Sequence, residues 1–280
     1  MKIDFVVGGS FLDALTSTKN NHTYVGNRVP GTDTIMISKM KNYSVYPHKK
    51  GLQFERMLTG GNVFNKNSYS HMQLVTINSC NVLFVAETDG VDSQGNPMEI
   101  KLGISSGWNQ SFQLRTILQM ISNGSNKLVY GVTGENGLSL NSVTHKTLDE
   151  LIKHNITEEQ KNDMVQKIIQ GLTKLHWMIE SDNVYDVKLN DPTSHTTSKI
   201  SVDLNENLQI LPPPSVVLSF LYNVSPKLLA QDAFRINCFK TFENKTASGV
   251  TTTCHWTNVY SIKEFFNGIL GKENNTEFQK

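Results

Sequence analysis

Between residues 158 and 179 apolar side chains recur at every third or fourth position: Met164, Val165, Ile168, Ile169, Leu172, Leu175 and Ile179. That period matches the turn of an α-helix with one face buried. Thr157 and Gln160 stand at capping-box spacing, so the helix is predicted to begin there and to lie in the core. His176 on this helix has no second ligand one turn away and reads as a packed or surface histidine. Phe112, Ile117, Leu118 and Ile121 predict another helix over 111–122, closed by Asn123-Gly124. A shorter one is predicted over 47–60, where Pro47 opens the segment, Leu52, Met57 and Leu58 fall near helical spacing, and Gly60-Gly61 ends it.

β-rich apolar runs bounded by turn residues predict strands at about 72–78, 81–88 and 97–103. A further pair, 127–133 and 137–143, turns through Gly134-Glu135-Asn136-Gly137, and strands at 199–204 and 207–211 end at Pro212-Pro213-Pro214. Residues 1–46 hold short β-like runs such as Thr34-Ile35-Met36-Ile37 beside a polar stretch from Ser17 to Asn27, and no domain is assigned there. Strands interleaved with helices, some joined by short turns, predict an α+β chain built on a mixed sheet. No internal repeat is visible.

A chain of 280 residues with 38% hydrophobic and 18% charged content can bury one sizeable core or two modest ones. The formal net charge of +1 gives no overall field to attract nucleic acid, so such binding requires a local patch. Lys49, Lys50, Arg56, Lys101 and Arg115 are the candidates for one. No apolar run approaches the roughly 18 residues of a membrane span, and Asp4 and Asp13 interrupt the start, so an intracellular protein of the cytoplasm or nucleus, with no membrane partner, is expected. Cys80, Cys238 and Cys254 form no close pair, which argues against a disulfide framework and a zinc ribbon. They are expected to be reduced and buried.

The chemistry lies in acidic residues gathered around one lysine: Glu87 and Asp89 in NVLFVAETD, then Glu99 and Lys101 in PMEIKLG. With Gly95-Asn96-Pro97 as the turn, the two strands are expected to pair as neighbours. Alternation would point Glu87 and Asp89 the same way, and likewise Glu99 and Lys101; where those faces coincide, three carboxylates and an ammonium converge on one spot. Clustered carboxylates repel, and such a group commonly survives by coordinating a divalent cation; oxygen ligands suit magnesium or manganese. An acidic residue followed about ten positions later by acid-x-Lys is the pattern of metal-dependent phosphodiesterases. An isolated triplet is more often a solvated hairpin face, but the apolar runs VLFVA and MEIKLGI place these polar groups as site residues at strand ends. Glu55, on the helix beside Phe54, is a further carboxylate that packing against the sheet could bring in.

Taken in order, Gly51-Leu52-Gln53-Phe54-Glu55, Ala86-Glu87-Thr88-Asp89, Glu99-Ile100-Lys101, and Gln119 five residues before Gly124 resemble the successive motifs of the decapping exoribonuclease (DXO) family. The likeness covers about residues 47–140, and 141–225 by order of elements. It implies a single domain over 1–280, best matched over 47–225, with 226–280 as a C-terminal extension. The implied fold is α+β, with mixed and antiparallel sheets flanked by helices and an acid-x-Lys metal site in a deep pocket.

The implied activity is hydrolysis at RNA 5′ ends, removing incomplete or atypical caps or a 5′ triphosphate, with 5′ to 3′ exoribonuclease activity in many members. Mg2+ or Mn2+, two ions, would be the cofactor. Glu55, Asp89, Glu99 and the Ile100 carbonyl would bind metal, Glu87 would hold metal through water or order the nucleophile, and Lys101 and Gln119 would contact the scissile phosphate and attacking water. Two positions depart from the family. Members of the family carry an arginine well upstream of the Gly-x-x-Phe-Glu helix, in a strand lining the substrate channel. This chain offers only Arg28 before Arg56, left unassigned to that role, and Gly131-Val132-Thr133 stands where relatives carry Gly-Phe-Arg. These losses keep open a non-catalytic relative that binds RNA or protein, and a DNA nuclease is a third class. Retention of every acid favours the enzyme.

Overall fold

The computed structural model describes residues 2–17, 22–29, 31–39, 49–60, 69–134, 139–191 and 199–208. In chain order these form β1 (Phe5–Gly8), α1 (Phe11–Thr16), β2 (His22–Arg28), β3 (Ile35–Lys39), α2 (Lys49–Thr59), β4 (Tyr69–Ile77) and β5 (Cys80–Thr88). There follow β6 (Gly90–Val91), β7 (Pro97–Ile104), α3 (Gln110–Asn123), β8 (Lys127–Thr133) and β9 (Leu140–Thr147). The described elements end with α4 (Leu148–Asn155), α5 (Glu158–Met178), β10 (Val184–Leu189) and β11 (Ile200–Leu204).

Two mixed sheets result. The larger has the order β11-β10-β2-β3-β1-β5-β4, with β1 parallel to both β3 and β5 and the remaining pairs antiparallel. The smaller has the order β6-β7-β8-β9, in which β7 and β8 run parallel across the α3 crossover. The main core joins Phe5, Phe84 and Tyr24 of the large sheet to α1, α3, α4 and α5, with Leu128 and Tyr130 of the small sheet closing it. Val6, Met36, Met72 and Leu83 form a second cluster. Strand alternation accounts for the split, because Val6 and Leu83 sit one residue out of phase with Phe5 and Phe84.

Helix α5 follows the expected pattern. Met164, Val165, Ile168, Leu172 and Leu175 are buried, and both capping-box bonds between Thr157 and Gln160 are made. Helix α3 runs one residue further at each end than expected. Its start is capped by the Asn109 side chain, which accepts from Phe112 N at 3.0 Å, and its end by Gly124 in the left-handed region. The α+β fold class is as expected.

Several expectations need correction. The strand at 81–88 does not pair with the one at 97–103: β5 belongs to the large sheet and β7 to the small one. The hairpin partner of β7 is β6, through Gly90↔Met98 and Val91↔Pro97, and the turn is held by Asp92, whose Oδ1 accepts from Gln94 N and Asn96 N, each at 2.9 Å. Residues left without assignment at the start supply β1, α1, β2 and β3, three of them interior strands. Strand β9 begins at Leu140 rather than 137. Residues 207 and 208 lie in a turn, and the rest of the strand expected at 207–211 lies outside the described residues, as do Cys238, Cys254 and the extension from 226. Cys80 is free but only half-buried. Among the described residues no helix is long and apolar enough to cross a membrane.

Candidate active site

Strand β7 carries the centre of the site because its outer edge is covered only at its beginning. β6 pairs with it through Pro97 and Met98, while β8 occupies the whole opposite edge. From Ile100 onward the outer edge is open to side chains. Asp89, in the link between β5 and β6, fills that opening: its Oδ2 accepts from Ile100 N at 2.9 Å and from Lys101 Nζ at 3.2 Å. A strand residue directs its N–H and C=O to the same edge, so the Ile100 carbonyl faces the side that Asp89 occupies.

Alternation along β7 then sorts the remaining groups. Ile100 joins Phe54 and Val129 in a small apolar cluster beside α2, with Met98 and Leu102 packed against it. Glu99 and Lys101 project to the opposite face, towards α3. The Lys101 ammonium lies between Asp89 and Glu99, in contact with Glu99 Oε1 as well as Asp89 Oδ2.

Helix α2 brings Glu55 because Phe54 is seated in the small sheet. Its ring occupies the space over Gly131 of β8, where a Cβ would stand 2.5 Å from the ring Cζ. Burial pushes the Glu55 carboxyl up to about 7, and the negative charges of Asp89, Glu99 and Glu87 push the same way against the opposing pull of Lys101. Four carboxylates from α2, β5, the β5–β6 link and β7 thus lie within electrostatic reach of one another. Glu87 and Asp89 do not share a face by alternation, however, since β5 ends at Thr88. Glu87 is exposed at the strand end and Asp89 is half-buried.

Glu99 is 2% exposed, and burial pushes its carboxyl upward despite the opposing pull of Lys101. Burial alone would lower the Lys101 ammonium, but Glu99 and Asp89 outweigh it and hold its pKa above the usual lysine value. Lys101 is therefore charged at neutral pH. With the ammonium inserted between Asp89 and Glu99, no three acids, histidines or cysteines among the described residues stand close enough to grip one ion together. The donor chemistry nonetheless fits a hard divalent cation: the carboxylates are all oxygen donors, and the like-charge crowding that adds to burial in raising Glu55 is what a cation relieves.

Gln119 lies on α3 one turn before Asn123, half-buried, on the stripe that Asn123 turns towards Glu99. Asn123 itself, read from sequence only as part of a helix stop, donates from Nδ2 to Glu99 Oε2. Its four-residue offset from Gln119 was the available signal. Arg28 does not line the site. Its Nε donates to Ile179 O at 2.8 Å, Nη2 to His176 O at 3.0 Å and Nη1 to Asp33 O at 2.8 Å, so it ties β2 to the last turn of α5. Of the expected basic patch, Lys101 is at the centre and Arg115 is paired with Asp13 of α1 at 3.6 Å. Lys50 and Arg56 stand on the same helix as Glu55.

These two sheets and their crossover helix define a mixed α+β fold that recurs among solved structures. No protein-family model matches the chain, and no curated protein matches it by sequence. Among solved structures, S. pombe Rai1 superposes with a TM-score of 0.57 at 13% identity, over 73% of this chain and 72% of that one. K. lactis Dxo1 in complex with manganese gives 0.51 at 17% identity, over 75% and 67%. Candida albicans Rai1 in complex with pU5-Mn2+ gives 0.51 at 12% identity, over 74% and 70%. The chain has the Rai1/Dxo1 fold, and the resemblance read from its motifs is borne out at that level.

Proposed function

We propose that the chain is a divalent-metal-dependent hydrolase of RNA 5′ ends, acting on incomplete or atypical caps or on a 5′ triphosphate. The observation that carries this reading is the convergence on the β7 edge: Asp89 bonded to Ile100 N and Lys101, Glu99 on the other side of the same ammonium, and Glu55 raised to about 7 among their charges. Manganese in the K. lactis Dxo1 structure, and pU5 with manganese in that of C. albicans Rai1, support a cation and an RNA end as the occupants.

Glu55, Asp89, Glu99 and the Ile100 carbonyl would hold Mg2+ or Mn2+, as one or two ions. A bound cation supplies Lewis-acid stabilisation of the phosphoryl oxygens and lowers the pKa of water. Lys101, charged and fixed between two acids, contributes a donor for the charge that develops on the scissile phosphate. Gln119, half-buried on α3 one turn before Asn123, would orient the attacking water through its amide. Glu87, exposed at the strand end, accepts a hydrogen bond from that water or holds the metal through one.

The test is incubation with RNAs bearing a 5′ triphosphate, monophosphate, unmethylated cap or NAD, with manganese or with chelator. Release of product should require manganese and fall by on the order of 10²–10³ in Asp89→Asn, Glu99→Gln and Lys101→Met. A second reading, a non-catalytic protein that binds RNA or a protein partner, draws on two observations: Lys101 already pairs with both Asp89 and Glu99, and Arg28 is committed to α5. RNA binding without product from any of these substrates would favour it.

A further inference from the structure

Asn123 ends α3 in the interior, 3% exposed, with three separate contacts. Ser125 N donates to Asn123 Oδ1 at 3.0 Å. A backbone N–H can only donate, so this contact identifies the amide oxygen and leaves Nδ2 turned to Glu99 Oε2, 2.5 Å away. The Asn123 carbonyl accepts from His71 Nδ1 at 2.8 Å, which fixes the hydrogen on that ring nitrogen. Gly124, at φ 74°, allows the close approach of β4: a Cβ there would stand 2.6 Å from Gln73 Oε1 and 2.7 Å from His71 Nδ1. The end of α3 is therefore held against β4 while its last side chain reaches across to β7.

We infer that Asn123, anchored by His71, is a positioning residue for Glu99: its amide holds Oε2 and leaves Oε1, the oxygen that Lys101 contacts, as the one that faces a cation. This rests on the proposed reading of Glu99 as a metal ligand. A free glutamate in a strand samples several χ angles and offers either oxygen, and a hydrogen bond to one oxygen removes that freedom before the cation arrives. Loss of such an orienting partner commonly weakens metal affinity by about 10–100-fold.

Asn123→Ser isolates this effect. A serine hydroxyl can accept the Ser125 N–H in the same kind of turn but is too short to reach Glu99. Asn123→Thr makes the same turn and replaces it in the experiment if the serine variant cannot be purified. The full chain and Ile121→Val, a change in the main core on the same helix, provide the comparison. Manganese affinity by calorimetry should fall at least tenfold in the Asn123 variant and stay within twofold of wild type in Ile121→Val. With RNA as substrate, kcat should fall and KM stay within twofold. Manganese affinity in the Asn123 variant equal to wild type, or an equal loss in Ile121→Val, overturns the inference. A wild-type chain that takes up no manganese overturns the reading of Glu99 beneath it, and the inference falls with that reading.

Discussion

Glu55 is an acid whose protonation the site controls, first by burial and then by charges on other elements. Its folded value of about 7 lies above the ordinary 4.5, so between those values the folded chain binds more protons than the unfolded one. Stability from this group is fully present below about pH 4.5 and is lost as pH rises through about 7. Thermal melts in chelator should therefore show a midpoint that declines over that window, and Glu55→Gln should flatten the decline. On the proposed reading manganese would take the deprotonated form, so its addition should raise the midpoint more at pH 8 than at pH 5. Calorimetry in two buffers of different ionisation enthalpy should detect proton release on binding. A midpoint independent of pH in the wild type would mean that burial and its neighbours do not raise Glu55. The acids and the lysine were legible in the sequence because their residue types carry chemistry and their spacing is local. Asn123 was not, because an asparagine before a glycine reads first as a helix stop, and its burial against Glu99 depends on packing between α3 and β7.

At the scale of elements, the site depends on how α2 is seated, and one glycine decides it. Gly131→Ala would put a methyl 2.5 Å from Phe54 Cζ and 2.8 Å from Cε1. The ring must move, and overpacking of this kind costs about 1–3 kcal/mol. Glu55 follows Phe54 directly, so the same displacement should weaken manganese binding. The smaller side chain in Phe54→Leu should recover part of both losses in the double variant, a coupling that a double-mutant cycle measures in urea titrations. Purely additive losses would show that the two residues do not share one contact. The helices α3 and α5 were legible because each spans three or more turns of apolar repeat with a recognisable cap. Strand β1 was not: four residues, FVVG, acquire their partners β3 and β5 from segments 30 and 77 positions away, as Phe5↔Ile35 and Phe5↔Val82 show. The pairing of β5 with β7 was misread for a related reason. A two-residue strand, β6, intercepts the hairpin, and no propensity argument resolves a segment that short.

In the whole molecule, the order of motifs indicated the fold while the division into two sheets stayed hidden, since sheet membership is set by long-range pairing. Arg28 shows what that difference implies for function. The register Arg28↔Ile35, Ile35↔Phe5 and Phe5↔Val82 places it in one row across the large sheet, at the end of β5 remote from Glu87. Val82 and Glu87 are separated by five strand residues, or about 17 Å, before the three strand spacings between Arg28 and β5 are added. At that range its guanidinium cannot contact a phosphate held by Lys101. It instead satisfies carbonyls of the last turn of α5 and of the loop before β3, which clamps the helix that covers the sheet. Arg28→Ala should then cost about 2–3 kcal/mol, as expected for loss of hydrogen bonds from a charged donor, read as a shift in the denaturation midpoint. Manganese affinity and the salt dependence of RNA binding should not change, because a residue that contacts phosphate would lower the salt slope by about one on removal. A lower slope with unchanged stability would reverse this assignment and return Arg28 to the substrate channel.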